Sequence, residues 1–228
     1  YHTIRFTNKT VLDEPSRYHF IIFTVFLSSL MSFLAARLIP DYMYLVPFSI
    51  TALYLTAFFR RRVVLAVYFV SLLPLLIATH NGLSLYMMNL VAGVTSIYSF
   101  EKYNKGWQQF KTAFFVFLTL SLMFIAFNLQ NDIHDTRSYF VIIQLMIHAL
   151  LIPMCYPIVY LFEIIFQLVS NSRLDELAEP NNKLLRMLEE KAPGTYQHCK
   201  QVANLSTAVA MNIDANEHLV RAGALYHD

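Results

Sequence analysis

The chain has little charge, little glycine and little cysteine. Asp, Glu, Lys and Arg make up 14% of its 228 residues, against about 25% in soluble domains. Five glycines are few for the broken helices through which transporters line a substrate path. No continuous track of ionisable side chains runs through the apolar segments, which also weighs against a transporter or channel. The two cysteines, Cys155 in an apolar segment and Cys199 on a helix expected to face the cytosol, do not suggest a disulfide. A formal net charge of +2 is too small to point to DNA or RNA. The opening YHTIRFTNKTVLDEPSR is polar and lacks the apolar core of a signal peptide.

What is abundant is hydrophobic sequence, 57% of the chain, and it is unevenly placed. Of the charged residues, 18 fall in the first 169 positions and 14 in the last 59. The simplest organisation is a membrane block followed by a module of soluble composition. Six apolar runs are visible: Tyr18 to Ile39, Tyr44 to Phe59, Val63 to Thr79, Leu83 to Phe100, Phe110 to Leu129, and a long one from Ser138 to Val169. A crossing needs about 20 apolar residues, so the second and third are short. Pro153 and Pro157 predict a kink in the sixth. His148, midway along it, reads either as a hydrogen-bond partner in the bundle or as a sensing group.

Arg60, Arg61 and Arg62 mark one connecting loop as cytoplasmic, and Lys102, Lys105 and Lys111 another. The loops between are poor in Lys and Arg, with Arg37 a mild exception. Alternation then puts both the N-terminus and the tail from Ser170 inside a plasma membrane. The expected fold is all-α: a cytoplasmic loop at 1–17, a six-span bundle at 18–169, a helical linker at 170–192 and a further helical module at 193–228. In the linker, Leu174, Leu177 and Ala178 suggest a short helix ended at Pro180. Asn182 suits the cap of a second helix with Leu184, Leu185 and Leu188 on its apolar face.

The final stretch, Ala192 to Asp228, reads as two amphipathic helices joined at Asp214–Ala215–Asn216. His198 lies near the start of the first, and His227 and Asp228 close the second. Both histidines are nearly equidistant from the turn, so a hairpin brings them face to face. His198, Val202, Leu205 and Val209 form one apolar stripe at helical spacing; Val220, Gly223, Ala224 and His227 form another. Imidazoles on such faces need partners. Spacing leaves two readings, hydrogen-bonded core histidines or metal ligands, with the Asp228 carboxylate beside His227 able to reach between two ions. Cys199 points away from His198 and suits a buried small residue. His218 is expected on an exposed helix face, without a role.

The segments TYQHCKQVANL and ALYHD resemble the opening of the HD phosphohydrolase domain. With LDELAEPNNKLLRMLEEKAPGTYQH before them, they are most similar to the seven-transmembrane-receptor HD hydrolases. The match runs from about Tyr160 to Asp228. Gln197 departs from that branch, in which two histidines follow the tyrosine, and His198 keeps the ligand spacing. The resemblance implies a membrane-bound phosphodiesterase that hydrolyses the cyclic dinucleotide cyclic di-AMP. It implies two divalent ions, iron or manganese, held in part by His198, His227 and a bridging Asp228, which is also the catalytic carboxylate. It further implies one more span before Tyr1 and further HD sequence beyond Asp228, so that the fragment alone is expected to be inactive. A non-catalytic receptor whose HD module binds a nucleotide is the alternative. Self-association into a homo-oligomer stays open.

Overall fold

The computed structural model describes residues 15–99, 106–130, 138–213 and 215–228. Most of the N-terminal loop, Lys102, Lys105, the loop at 131–137 and Asp214 lie outside the described residues. Every regular element among them is helical, so the fold is all-α. The chain divides between Leu168 and Val169 into two compact units.

The first unit contains α1 (Pro15–Leu38), a 3-10 helix (Pro40–Leu45), α2 (Ser49–Thr56), α3 (Arg61–Leu72), α4 (Pro74–Ala78), α5 (Gly82–Ser99), α6 (Gly106–Gln130), α7 (Ser138–Leu150), a 3-10 turn (Ile152–Met154) and α8 (Cys155–Phe166). Among the described residues, four stretches are long and apolar enough to cross a membrane: Pro15–Leu38, Arg61–Ala78, Trp107–Leu129 and Tyr139–Phe166. The second and fourth apolar runs of the sequence do not reach that standard. The second becomes a 3-10 helix followed by α2, whose eight residues rise only about 12 Å against about 30 Å of hydrocarbon. Seven consecutive residues of α2, Ser49 to Leu55, are buried. A helix apolar all round suits surroundings of protein, not a lipid boundary. The fourth run becomes α5, whose buried face carries Asn89, Gly93 and Ser96. Pro153 marks the break between α7 and α8 as expected, whereas Pro157 sits in the first turn of α8, where no amide donor is missed.

Two groups of ring contacts stand out in this unit, apart from the pair of Phe69 and Tyr86 between α3 and α5. Phe20, near the start of α1, meets Tyr54, Phe58 and Phe59 at the end of the second run and Phe162 and Phe166 at the end of α8. Arg61 lies over the Tyr98 ring at 5.3 Å, joining the start of α3 to the end of α5. The other group holds Tyr42 against Phe140 and Tyr44 against Phe124, joining the start of the second run to the start of α7 and the end of α6. With lipid as solvent, such packing and buried hydrogen bonds hold helices together. Tyr68 donates to the Asn89 carbonyl at 2.6 Å, and Ser28 to that of Ser71 at 2.8 Å. A Cβ on Gly93 would stand 2.1 Å from Cε1 of Tyr68, so only glycine admits that ring. His148 is buried with both nitrogens engaged, Nε2 2.8 Å from Ser49 Oγ and Nδ1 3.3 Å from the Tyr44 carbonyl. Of its two readings, the bundle hydrogen-bond partner is the one these contacts describe.

The second unit contains α9 (Asn171–Leu177), α10 (Lys183–Lys191), α11 (Pro193–Asn212) and α12 (Glu217–Leu225). Ser170 caps α9, accepting from Arg173 N at 3.2 Å, and Asn182 caps α10, accepting from Leu184 N at 3.1 Å. The small core is Ala178, Leu185, Tyr196, Ala203, Ala224 and Leu225, flanked by Leu188 and Val202. Leu177 and Leu184, expected on apolar faces, are exposed. The helices break at Ala192, directly before Pro193 and Gly194. Proline occupies the first turn of α11, where its missing N–H costs nothing.

Candidate metal centre

α11 buries Tyr196, Cys199, Ala203, Thr207 and Ala210. This is a helical stripe one position round from the one expected through His198, Leu205 and Val209. Its small members let α12 approach closely, which outweighs the larger apolar side chains on the neighbouring stripe. Leu205 and Val209 are 71% and 57% exposed. Cys199 is fully buried as a free thiol. His198 therefore stands on the exposed flank of α11 rather than in a core.

Across the hairpin, Asn216 Oδ1 accepts from the amides of His218 and Leu219 and starts α12. α12 ends at Leu225, and Tyr226 leaves helical geometry with φ −116° and ψ 15°. His227 and Asp228 thus follow the helix and do not close it, so helical spacing does not set the angle between them. Gly223 meets nothing within 4 Å of where a Cβ would lie; the close approach is made by Ala222 and Ala224.

The hairpin nonetheless brings the two histidines together. Their ring centres are 5.6 Å apart and their planes are tilted by 52°. Imidazole nitrogen binds a divalent transition ion at about 2.1 Å, which places two rings sharing one ion roughly 4.5–5.5 Å apart, centre to centre. The observed spacing lies just beyond that range. His227 Nδ1 is 2.7 Å from the Ala224 carbonyl. A carbonyl only accepts, so Nδ1 carries the proton and Nε2 keeps its lone pair. This is the usual way a backbone group orients a metal-binding histidine. Asp228 is exposed. Among the described residues, no group of three or more His, Cys, Asp and Glu side chains is gathered to hold a metal ion. The two imidazoles fit such an ion as a partial ligand set; the third expected ligand is not brought to them.

The contacts that hold α12 leave little local trace in the sequence. His218 is half-buried and donates from Nδ1 to Asp175 Oδ1 at 2.6 Å. Tyr226 donates its hydroxyl to the Leu177 carbonyl at 2.8 Å. Partial desolvation raises the Tyr226 phenol pKa. Only the Asn216 cap, an Asn immediately before Glu217, had a local signal. The other two contacts span 43 and 49 residues.

The sequence model of the family described as a 7TM receptor with intracellular HD hydrolase matches residues 4–170, well over half the chain. The chain belongs to this family. With its long apolar helices, it is a membrane protein of the 7TM receptor–HD hydrolase type. It is similar to the cyclic-di-AMP phosphodiesterase PgpH of Listeria monocytogenes, 31% identical over 227 residues, covering 96% of this chain and 31% of the relative. The Bacillus subtilis protein of the same name is 32% identical over 145 residues, covering 61% of this chain and 20% of its own length. An uncharacterised Synechocystis protein, slr0104, is 47% identical over 66 residues, covering 29% of this chain and 8% of its own. The chain spans about a third or less of the length of these curated relatives. No solved structure matches it.

Proposed function

We propose that this chain supplies the membrane block and the first metal-ligand hairpin of a phosphodiesterase that opens cyclic di-AMP to a linear dinucleotide. The observation that carries this is the pairing of His198 and His227 at 5.6 Å, with Nε2 of His227 left free by the Ala224 carbonyl. Family membership and the named activity of the two PgpH relatives supply the substrate class.

In this mechanism His198 and His227 would hold divalent metal, iron or manganese, through ring nitrogens at one shared centre. Asp228, the exposed residue after His227, would add a carboxylate to the same centre. When bound, the ions supply a water of lowered pKa and stabilise charge on the phosphoryl oxygens. The exposed flank of α11 that carries His198 continues into Leu205 and Val209, leaving an apolar face beside the ligands on which further protein can close.

The membrane block is proposed to cross six times, with residues 1–17 and the second unit both cytoplasmic. The grouping of ring contacts supports this. It puts the start of α1 level with the ends of the second run and of α8, and the start of the second run level with the end of α6 and the start of α7. The buried α2 then completes one passage together with the 3-10 helix before it.

The test is hydrolysis of cyclic di-AMP by the full-length membrane protein with Mn2+, with chelator, and in the His227→Ala, Asp228→Ala variant. Hydrolysis in the first condition alone is expected. Equal turnover by the variant would exclude the assigned ligands.

A further inference from the structure

The two paired imidazoles hang on different supports. His198 is carried by α11, which is seated on α10 through the cluster of Leu185, Leu188 and Tyr196. His227 lies beyond the end of α12, outside its helical hydrogen-bond ladder. Two ties are present, and both run to α9. At the start of α12, His218 donates to Asp175 at 2.6 Å. At its end, Tyr226, the residue before His227, donates to the Leu177 carbonyl at 2.8 Å. Asp175 and Leu177 are two residues apart on a helix that begins directly after the division between the two units.

We propose that α9 is the brace that sets the gap between His198 and His227, with Tyr226, Asp175 and His218 as positioning residues for the metal centre. This rests on the metal-centre reading above. Ala203, Ala222, Ala224 and Leu225 fix the packing of the hairpin and hence the gross approach of α12 to α11. Beyond Leu225 the chain is no longer helical. There the Tyr226 hydroxyl makes the side-chain hydrogen bond that reaches outside α12, whereas the His227 Nδ1 bond returns to Ala224 of the same helix. A shift of α9 along its axis therefore pulls His227 relative to His198. The brace gives the segment leaving the membrane block a direct mechanical hold on one ligand and not on the other.

Outer contacts that orient a metal ligand typically change metal affinity by about 10- to 100-fold when removed. The experiment uses the full-length membrane protein and Mn2+ alone, with two readouts: Mn2+ affinity by titration, and amide hydrogen exchange in the metal-free protein. Tyr226→Phe deletes only the hydroxyl. It is expected to weaken Mn2+ binding about tenfold and to speed exchange over residues 223–228, while residues 193–212 stay protected. Asp175→Ala is expected to act in the same direction. Asp175→Asn keeps an oxygen that accepts from His218 and is expected to retain wild-type affinity. Wild-type affinity and exchange in both Tyr226→Phe and Asp175→Ala, with binding lost in His227→Ala, would overturn the brace and leave the metal centre standing. Mn2+ binding unaffected by His227→Ala would overturn the metal centre, and the brace with it.

Discussion

His198 and His227 face each other at 5.6 Å between ring centres, one on the flank of a long helix and the other on the chain just past the end of its partner. Neither ring is buried. A core role would bury them and satisfy both nitrogens within the protein. Here His227 spends one nitrogen on a backbone carbonyl and presents the other. Removing either imbalances a shared site. His198→Ala and His227→Ala are each expected to lower Mn2+ affinity of the full-length protein by at least about tenfold, the low end for losing even an orienting contact. The double variant is expected to fall by less than the product of the two, because ligands to one centre act together. Equilibrium metal titration checks this.

The interface that makes the pair is built on small residues. Ala203 is 1% exposed and belongs to the same cluster as Ala224. Ala203→Leu is expected to cost about 1–3 kcal/mol through overpacking and to separate α12 from α11. Faster hydrogen exchange across residues 217–225, with α10 unaffected, would register it. Leu205→Ala, on the exposed neighbouring stripe, is expected to leave that exchange unchanged.

Those two residues also show where sequence could and could not be read. Equal distance from the turn was enough to pair His198 with His227, because a helical hairpin fixes that register whatever its faces contain. The cap at Asn182 was legible because a cap is a local event. The buried stripe was not, because hydrophobicity favoured Leu205 and Val209, whereas close helix packing favoured Cys199, Ala203 and Ala210. The pairing of His218 with Asp175 depends on how α9 folds back on α12, which no local pattern encodes. In the membrane block, the second run was legible as apolar. Its folding into a short, wholly buried α2 reflects neighbours on every side and lay beyond hydropathy.

Gly93 and Tyr68 form a lock in the membrane block. Gly93→Ala would put a Cβ 2.1 Å from the Tyr68 ring, and the ring's hydroxyl bond to the Asn89 carbonyl would have to break. A loss of about 1–3 kcal/mol is expected, seen as a lowered melting midpoint in detergent. Tyr68→Ala in the Gly93→Ala background is expected to cost less than the two changes summed, since the clash is gone.

His148 offers a second test of packing in that unit. Ser49→Ala leaves Nε2 of a buried imidazole without its partner, at a cost of about 1–3 kcal/mol. His148→Leu combined with Ser49→Ala removes both polar groups and is expected to recover part of that loss. A double-mutant cycle on thermal unfolding measures the coupling. A coupling of zero would mean that the 2.8 Å contact contributes nothing to stability.

If these two imidazoles bind metal, pulsed EPR detects it at the atoms concerned. Full-length protein labelled with 15N-histidine and loaded with Mn2+ is expected to show histidine nitrogen couplings that diminish in His198→Ala and again in His227→Ala. Couplings identical in the wild type and both variants, or none in the wild type, would contradict metal binding by this pair.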